Sequence, residues 1–164
     1  MSGRFCRLAP LDPDAHAAAL FAANSADTEG RMWTYLPYGP FASEADYRAW
    51  MARQCAGEDP LFFAIIDVKT GRAAGVAAYL RIDPANGVVE IGHLAYSPAL
   101  QRTAAATEAM SLMMANVFAL GYRRCEWNCD ALNAPSRTAA ARLGFTFEGI
   151  FRQAVVVKGR TRGN

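Results

Sequence analysis

The sequence predicts a mixed α/β fold in which helices pack on a central sheet, and two patterns carry that expectation. Three apolar stretches, 61–67, 73–82 and 88–96, are separated only by tight turn chemistry, Lys69-Thr70-Gly71 and Asp83-Pro84-Ala85-Asn86-Gly87. Beyond them, helical periodicity and strand-like runs alternate to the end of the chain. The expected order is β α α β β β α β α β, and mixed orders of this kind place helices against a sheet.

The elements follow in turn. Residues 4–8 alternate and read as a first strand. Asp12 or Asp14 is placed to cap a helix to about Ala23, with Ala18, Phe21 and Ala22 on its apolar side. The run from Trp33 to Phe41 holds two prolines and a glycine and is expected to be irregular. Ser43 with Asp46 resembles a helix start, and Tyr47, Trp50 and Met51 then recur at helical spacing. A helix of four to five turns is expected over 103–120, with Met110, Met113, Val117 and Leu120 facing the core and Gly121 ending it. Residues 122–131 read as a strand. Asn133 caps a short helix with Pro135 in its first turn, Gly144 closes it, and 145–158 is the last expected strand.

Composition narrows the function classes. A chain of 164 residues without repeats, low-complexity segments or linkers is expected to form one domain over 1–164. Hydrophobic residues make up 52% and charged ones 20%, which excludes disorder. The net charge of +2 comes without a basic stripe. Arg123-Arg124 alone does not make a nucleic-acid surface, so no nucleic-acid partner is expected. The most apolar long stretch is broken by Glu108 and Asn116, so no membrane partner is expected, and without a signal peptide the chain reads as cytoplasmic. Cys125 and Cys129 lie four apart in an expected strand, roughly 13 Å between Cα atoms, beyond the ~7 Å that a disulfide spans. Four scattered cysteines with His16 and His93 make a poor zinc set, and no metal is expected.

Two segments carry chemistry. The first is Glu90-Ile91-Gly92-His93-Leu94-Ala95-Tyr96 leading into Gln101-Arg102-Thr103-Ala104-Ala105-Ala106-Thr107-Glu108-Ala109. A strand, a short loop and a helix start lined by small residues present unpaired N–H groups and a positive helix end to an anion, and Arg102 adds charge. The second is Asn133-Ala134-Pro135-Ser136, followed at the right distance by Gly144-Phe145.

The pair resembles motifs A and B of the GNAT acetyltransferases. The similarity is greatest to the branch of the ribosomal-protein N-terminal acetyltransferases RimJ and RimL, which reads E-I-G-Y, then Q-x-x-G-x-G/A-T-E-A, then N-x-x-S with a later G-F. Glu90, Ile91, Gly92, Gln101, Ala106, Thr107, Glu108, Ala109, Asn133, Ser136, Gly144 and Phe145 match. The resemblance covers nearly the whole chain. It implies a mostly antiparallel central sheet with one splayed strand pair. It also implies acetyl-CoA as co-substrate and direct attack by a primary amine, with a protein or peptide N-terminus first and a small amine or antibiotic-like compound second. A homodimer is common among related enzymes.

By the same resemblance, the backbone of Gln101, Arg102, Thr103, Ala104, Ala105, Ala106 and Thr107 would hold the pyrophosphate. Leu94, Ala95 and Tyr96 would bond the pantetheine arm and polarise the acetyl carbonyl, with Asn133 and Ser136 near the sulfur. Glu90 is either a base acting through water or a structural ion pair. Glu90 and His93 fall on opposite faces of a regular strand, so one alone is expected to face the cleft, and His93 reads more as a packing residue. The tyrosine general acid of many members is replaced by Ala140, which leaves the Ser136 hydroxyl to bond the sulfur, unless it serves only the helix start. Trp33, Tyr35, Tyr38 and Phe41 either flank the acceptor or pin their loop to the core.

Two departures stand out. Ala104 replaces the central glycine of motif A, which would cost roughly 1 kcal/mol if that position needs a positive φ. The sequence also ends in the turn where the family goes on to one more strand; if it is complete as given, 155–157 is expected to lack its hairpin partner and leave an edge open, the alternatives being a second chain in the gap, a missing C-terminus or an impaired domain. These departures leave a CoA-binding or interaction module without transferase activity as the alternative from another class.

Overall fold

A computed structural model describes residues 1–164. Its elements are β1 (Cys6–Pro10), α1 (Pro13–Asn24), a 3-10 turn (Arg31–Trp33), α2 (Glu44–Gln54), β2 (Leu61–Asp67), β3 (Ala73–Asp83), β4 (Val88–Tyr96), α3 (Ala104–Ala119), β5 (Arg124–Glu126), α4 (Ala134–Arg142), β6 (Val155–Val157) and β7 (Arg160–Arg162). Strands β1 to β5 form one sheet in chain order. The first four are antiparallel, and β5 runs parallel to β4.

The sheet separates two cores, and the strands supply both by alternation. On β2, Ile65 joins the α3 side while Ala64 and Ile66 join the side of α1 and α2. On β3, Ala77 and Tyr79 face α3, and Val76 and Ala78 face away from it. From α3 come Ala109, Met110, Met113 and Val117; from α1 and α2 come Leu20, Tyr47, Trp50 and Met51.

Helix starts follow the sequence closely. The Asp12 carboxylate accepts from the N–H groups of Asp14 and Ala15, Ser43 Oγ from that of Asp46, and Asn133 Oδ1 from that of Ser136. Gly121 and Gly144 follow α3 and α4 at φ of 90° and 94°, where a side chain would be strained. The apolar face of α1 is rotated from the expected one. Ala17, Leu20 and Asn24 are buried, and Ala18 and Ala22 are exposed, because the helix docks through Asn24, whose amide donates to the Tyr47 hydroxyl. Leu120 is also exposed, since α3 ends before it reaches the core.

The chain departs most from expectation after α3. The strand expected over 122–131 is reduced to Arg124–Glu126, which pairs only with Val88–Glu90. The strand expected over 145–158 is reduced to β6. Its residues do not lack a partner: Arg160–Arg162 returns as β7, so the chain passes the turn in which it was expected to stop. This hairpin forms a sheet of its own, held to the rest by Lys158 Nζ on the Trp33 carbonyl (2.8 Å), Arg162 Nη1 on the Tyr35 carbonyl (3.0 Å) and Ala131 N on Gly163 O (2.8 Å). The outer edge of β5 has no strand beside it; a cavity of about 1240 Å³ is lined by β5 and by residues of the segment 145–155, which Arg124 bridges through Glu148.

Candidate active site

The site begins with an irregularity in β4. Val76 pairs with Ala95 and Ala78 with Gly92, so His93 and Leu94 together oppose Ala77 alone. This is a β-bulge, and His93 takes it up with a left-handed φ of 51°. The extra residue reverses the phase of the strand. Val89 and Ile91 face α3, whereas Ala95, four residues beyond Ile91, packs in the opposite core.

The reversal puts His93 on the face that Glu90 occupies. Both line one cleft of about 580 Å³, which corrects the expectation that only one of them could. His93 is also a packing residue. Its ring stacks on Tyr38 and lies against Phe62, and Nδ1 is 3.2 Å from the Tyr38 hydroxyl. Burial, with Arg81 nearby, pulls its pKa below the usual histidine value, so the ring is neutral at pH 7.

Past Glu90, β5 leaves β4, and Leu94–Tyr96 has a strand partner on the β3 side alone. The Tyr96 carbonyl accepts from Gln101 Nε2 at 2.9 Å, which ties the strand end to the following loop. At the start of α3, Thr103 Oγ1 accepts from Ala106 N, and the N–H groups of Arg102, Thr103, Ala104 and Ala105 have no partner within the chain. The side chains of Ala105 and Ala106 are buried against the core, so these residues offer only backbone to a ligand. Ala104 is the first helical residue and does not have a positive φ; the left-handed residue of the loop is Arg102, at 58°. The strain considered for Ala104 is therefore absent. Arg142 Nη2 reaches across from α4 to Thr107 Oγ1, 3.3 Å away, and brings a second cation to this helix end.

The opposite wall comes from α4 and the segment after β5. Asn133 and Ser136 line the cleft, as do Leu94, Gln101 and Tyr35. Ser136 Oγ accepts from Trp127 Nε1 at 3.0 Å, which leaves its own proton free to donate. Glu90 is 4% exposed. Its Oε2 accepts from Arg81 Nη1 (2.6 Å) and Asn128 Nδ2 (3.0 Å). Burial outweighs both donors and holds its pKa above the usual carboxylate value. Sequence reasoning missed Arg81, Trp127 and Asn128, because no motif spacing links them to the residues they hold.

Trp33 and Tyr38 do not line the cleft. Trp33 is 4% exposed and lies edge-on to Tyr38, Phe41 and Tyr47, and the Tyr38 ring packs on Trp50. These rings hold their loop to the core, and Tyr35 is the member that reaches the cleft, with its hydroxyl donating to the Leu132 carbonyl.

Residues 6–146 match the acetyltransferase (GNAT) domain. The chain belongs to the GNAT acetyltransferase family. GNAT enzymes use acetyl-CoA and transfer its acetyl group to an amine. A GCN5-related N-acetyltransferase from Brucella melitensis is 50% identical, superposes with a TM-score of 0.96, and is matched over 99% of this chain and 74% of its own. A GNAT-family protein from Chromobacterium violaceum ATCC 12472 is 45% identical with a TM-score of 0.92, over 99% of this chain and 81% of its own. A Salmonella typhimurium acetyltransferase that modifies the N-terminal serine of ribosomal protein L7/L12 shares the fold, at 21% identity and a TM-score of 0.81 over 98% and 92%. No curated protein matches this GNAT chain.

Proposed function

We propose that this GNAT enzyme acetylates the α-amine of a protein or peptide N-terminus. The open edge of β4 beside the bare start of α3 is the observation that carries the cofactor half of this reading. The N–H groups of Arg102, Thr103, Ala104 and Ala105, with Arg102 and Arg142, fit a pyrophosphate. The edge of Leu94–Tyr96 fits an amide-bearing pantetheine arm, and N–H groups there polarise the acetyl carbonyl. When bound, acetyl-CoA supplies an activated thioester.

The chain's own groups then manage two protons. Glu90, buried and facing the cleft, removes one from the acceptor through a water molecule. An α-amine, with pKa near ~7.7–8.0, needs only such modest help, whereas a lysine near ~10.4 would need a stronger base. The Ser136 hydroxyl, held by Trp127, donates a hydrogen bond to the sulfur as it leaves, and the thiolate then takes its proton from water. Likeness in fold to an enzyme of ribosomal-protein N-termini agrees with a peptide acceptor.

One observation favours a second reading, a small amine. The bonds from Lys158 and Arg162 to the carbonyls of Trp33 and Tyr35 draw the β6–β7 hairpin against the aromatic loop and narrow the cleft, whose volume of about 580 Å³ suits a small molecule.

The test is calorimetric titration with acetyl-CoA, followed by mass spectrometry of peptide and small-amine acceptors. Micromolar binding and acetylation at a peptide α-amine are expected. Acetylation confined to small amines would give the second reading its place. A folded sample that binds no acetyl-CoA would end both.

A further inference from the structure

Trp127 and Asn128 are consecutive residues in the extended segment just past β5, and their side chains reach opposite walls of the cleft. Trp127 Nε1 donates to Ser136 Oγ on α4, and Asn128 Nδ2 donates to Glu90 Oε2 on β4. Alternation along an extended backbone is what sends neighbours in opposite directions. One dipeptide thus touches both of the groups to which proton handling falls.

The contacts on Glu90 are one-sided. Arg81 and Asn128 both bond Oε2, and Oε1 accepts no hydrogen bond from the protein. Gly92 lies beside that free oxygen. A Cβ on it would stand 3.3 Å from Glu90 Oε1 and 3.0 Å from Leu80 Cδ2, so glycine keeps open the space through which Oε1 meets the cleft. We infer that Trp127 and Asn128 are a positioning pair. Asn128, with Arg81, turns Glu90 so that Oε1 takes the acceptor's proton through a water molecule in the space over Gly92, while Trp127 aims the Ser136 hydroxyl at the leaving sulfur. The inference rests on the acetyl-transfer reading of the site.

The groups facing Glu90 fix the sign of the test. Arg81 on β3 and Asn128 stabilise the carboxylate, Glu126 on β5 opposes it, and His93 on β4 is neutral at pH 7. Loss of the Asn128 donor therefore raises the pKa of Glu90. In Asn128→Ala the acid limb of the pH profile of kcat/KM should move up by about one unit, since a hydrogen bond to a charged group is worth about that much. Its kcat at pH 7 should fall about tenfold or more, with the KM for acetyl-CoA little changed. Asn128→Ser, smaller but still able to donate, should recover part of both. Trp127→Phe keeps the ring and deletes the N–H; it should lower kcat and leave the acid limb where it is.

A second readout needs no turnover. The 13C carboxyl resonance of Glu90, assigned by its absence in Glu90→Gln, should titrate higher in Asn128→Ala by the same amount as the limb. An unmoved resonance would overturn the inference, as would a resonance that moves while the limb stays. A wild-type chain that binds no acetyl-CoA would sink the parent reading, and the carboxyl titration would still judge the geometry of the pair.

Discussion

Glu108 sits in the second turn of α3, and its carboxylate accepts three backbone N–H groups from the start of the chain: Arg4 at 2.8 Å, Phe5 at 2.6 Å and Cys6 at 2.8 Å. The clamp fastens the approach to β1 onto α3, so Glu108→Gln tests a tertiary joint. Glutamine keeps the size but offers one acceptor oxygen and points donors at the remaining N–H groups. Arg4 and Phe5 are exposed and can turn to water. Cys6 is wholly buried, and an unsatisfied N–H there costs about 1–3 kcal/mol. With the exposed bonds discounted for solvent, the loss is on the order of 2–3 kcal/mol. For a chain of this length that lowers Tm by roughly 5–10 °C, read by circular dichroism.

The pH dependence gives a sharper check. Burial acts to raise the Glu108 pKa, but the N–H groups of Phe5, Arg4 and Cys6 prevail and hold it below the usual value. A depressed folded pKa contributes stability above the unfolded value, near ~4.3, and loses it as pH falls through the folded one. The gap between wild type and Glu108→Gln should therefore be full at pH 7 and narrow progressively as pH falls below about 4.3. Equal melting at pH 7, or a gap unchanged by acid, would refute the clamp.

Two further outcomes are expected. Ala104→Gly should leave the Kd for acetyl-CoA within about threefold and lower stability by up to ~1 kcal/mol, since position 104 is helical; much tighter binding would mean that the alanine methyl crowds the phosphate. Met113→Ala, at a wholly buried site in the α3 core, should cost about 2–5 kcal/mol in denaturant unfolding with acetyl-CoA binding retained at low temperature.

Much of this architecture is local in origin and could be read from the chain. Asp12, Ser43 and Asn133 cap their helices through their own side chains, and Gly121 and Gly144 end theirs, because such interactions involve residues two to four apart. The three strands of 61–96 announced themselves by apolar runs between turn residues. The two motifs placed Glu90, Gln101, Asn133 and Ser136 in one region: Glu90 is the last residue of β4 that pairs with β5, Gln101 precedes α3, and Asn133 and Ser136 begin α4.

Tertiary structure decided the rest. The bulge at His93 has no signature in the residues around it, yet it reverses the face of the strand beyond it and brings His93 into the cleft that Glu90 lines. The same limit applies to 122–131 and 145–158. Their apolar, strand-like patterns report propensity, but a strand is defined by a partner's hydrogen bonds, and most of these residues find none. Arg81, Trp127 and Asn128 acquire their roles from side chains 9, 9 and 38 residues away, across turns and walls that only the folded sheet brings together. Sequence fixes what each residue can donate, accept or bury; the fold decides which partner stands within 3 Å.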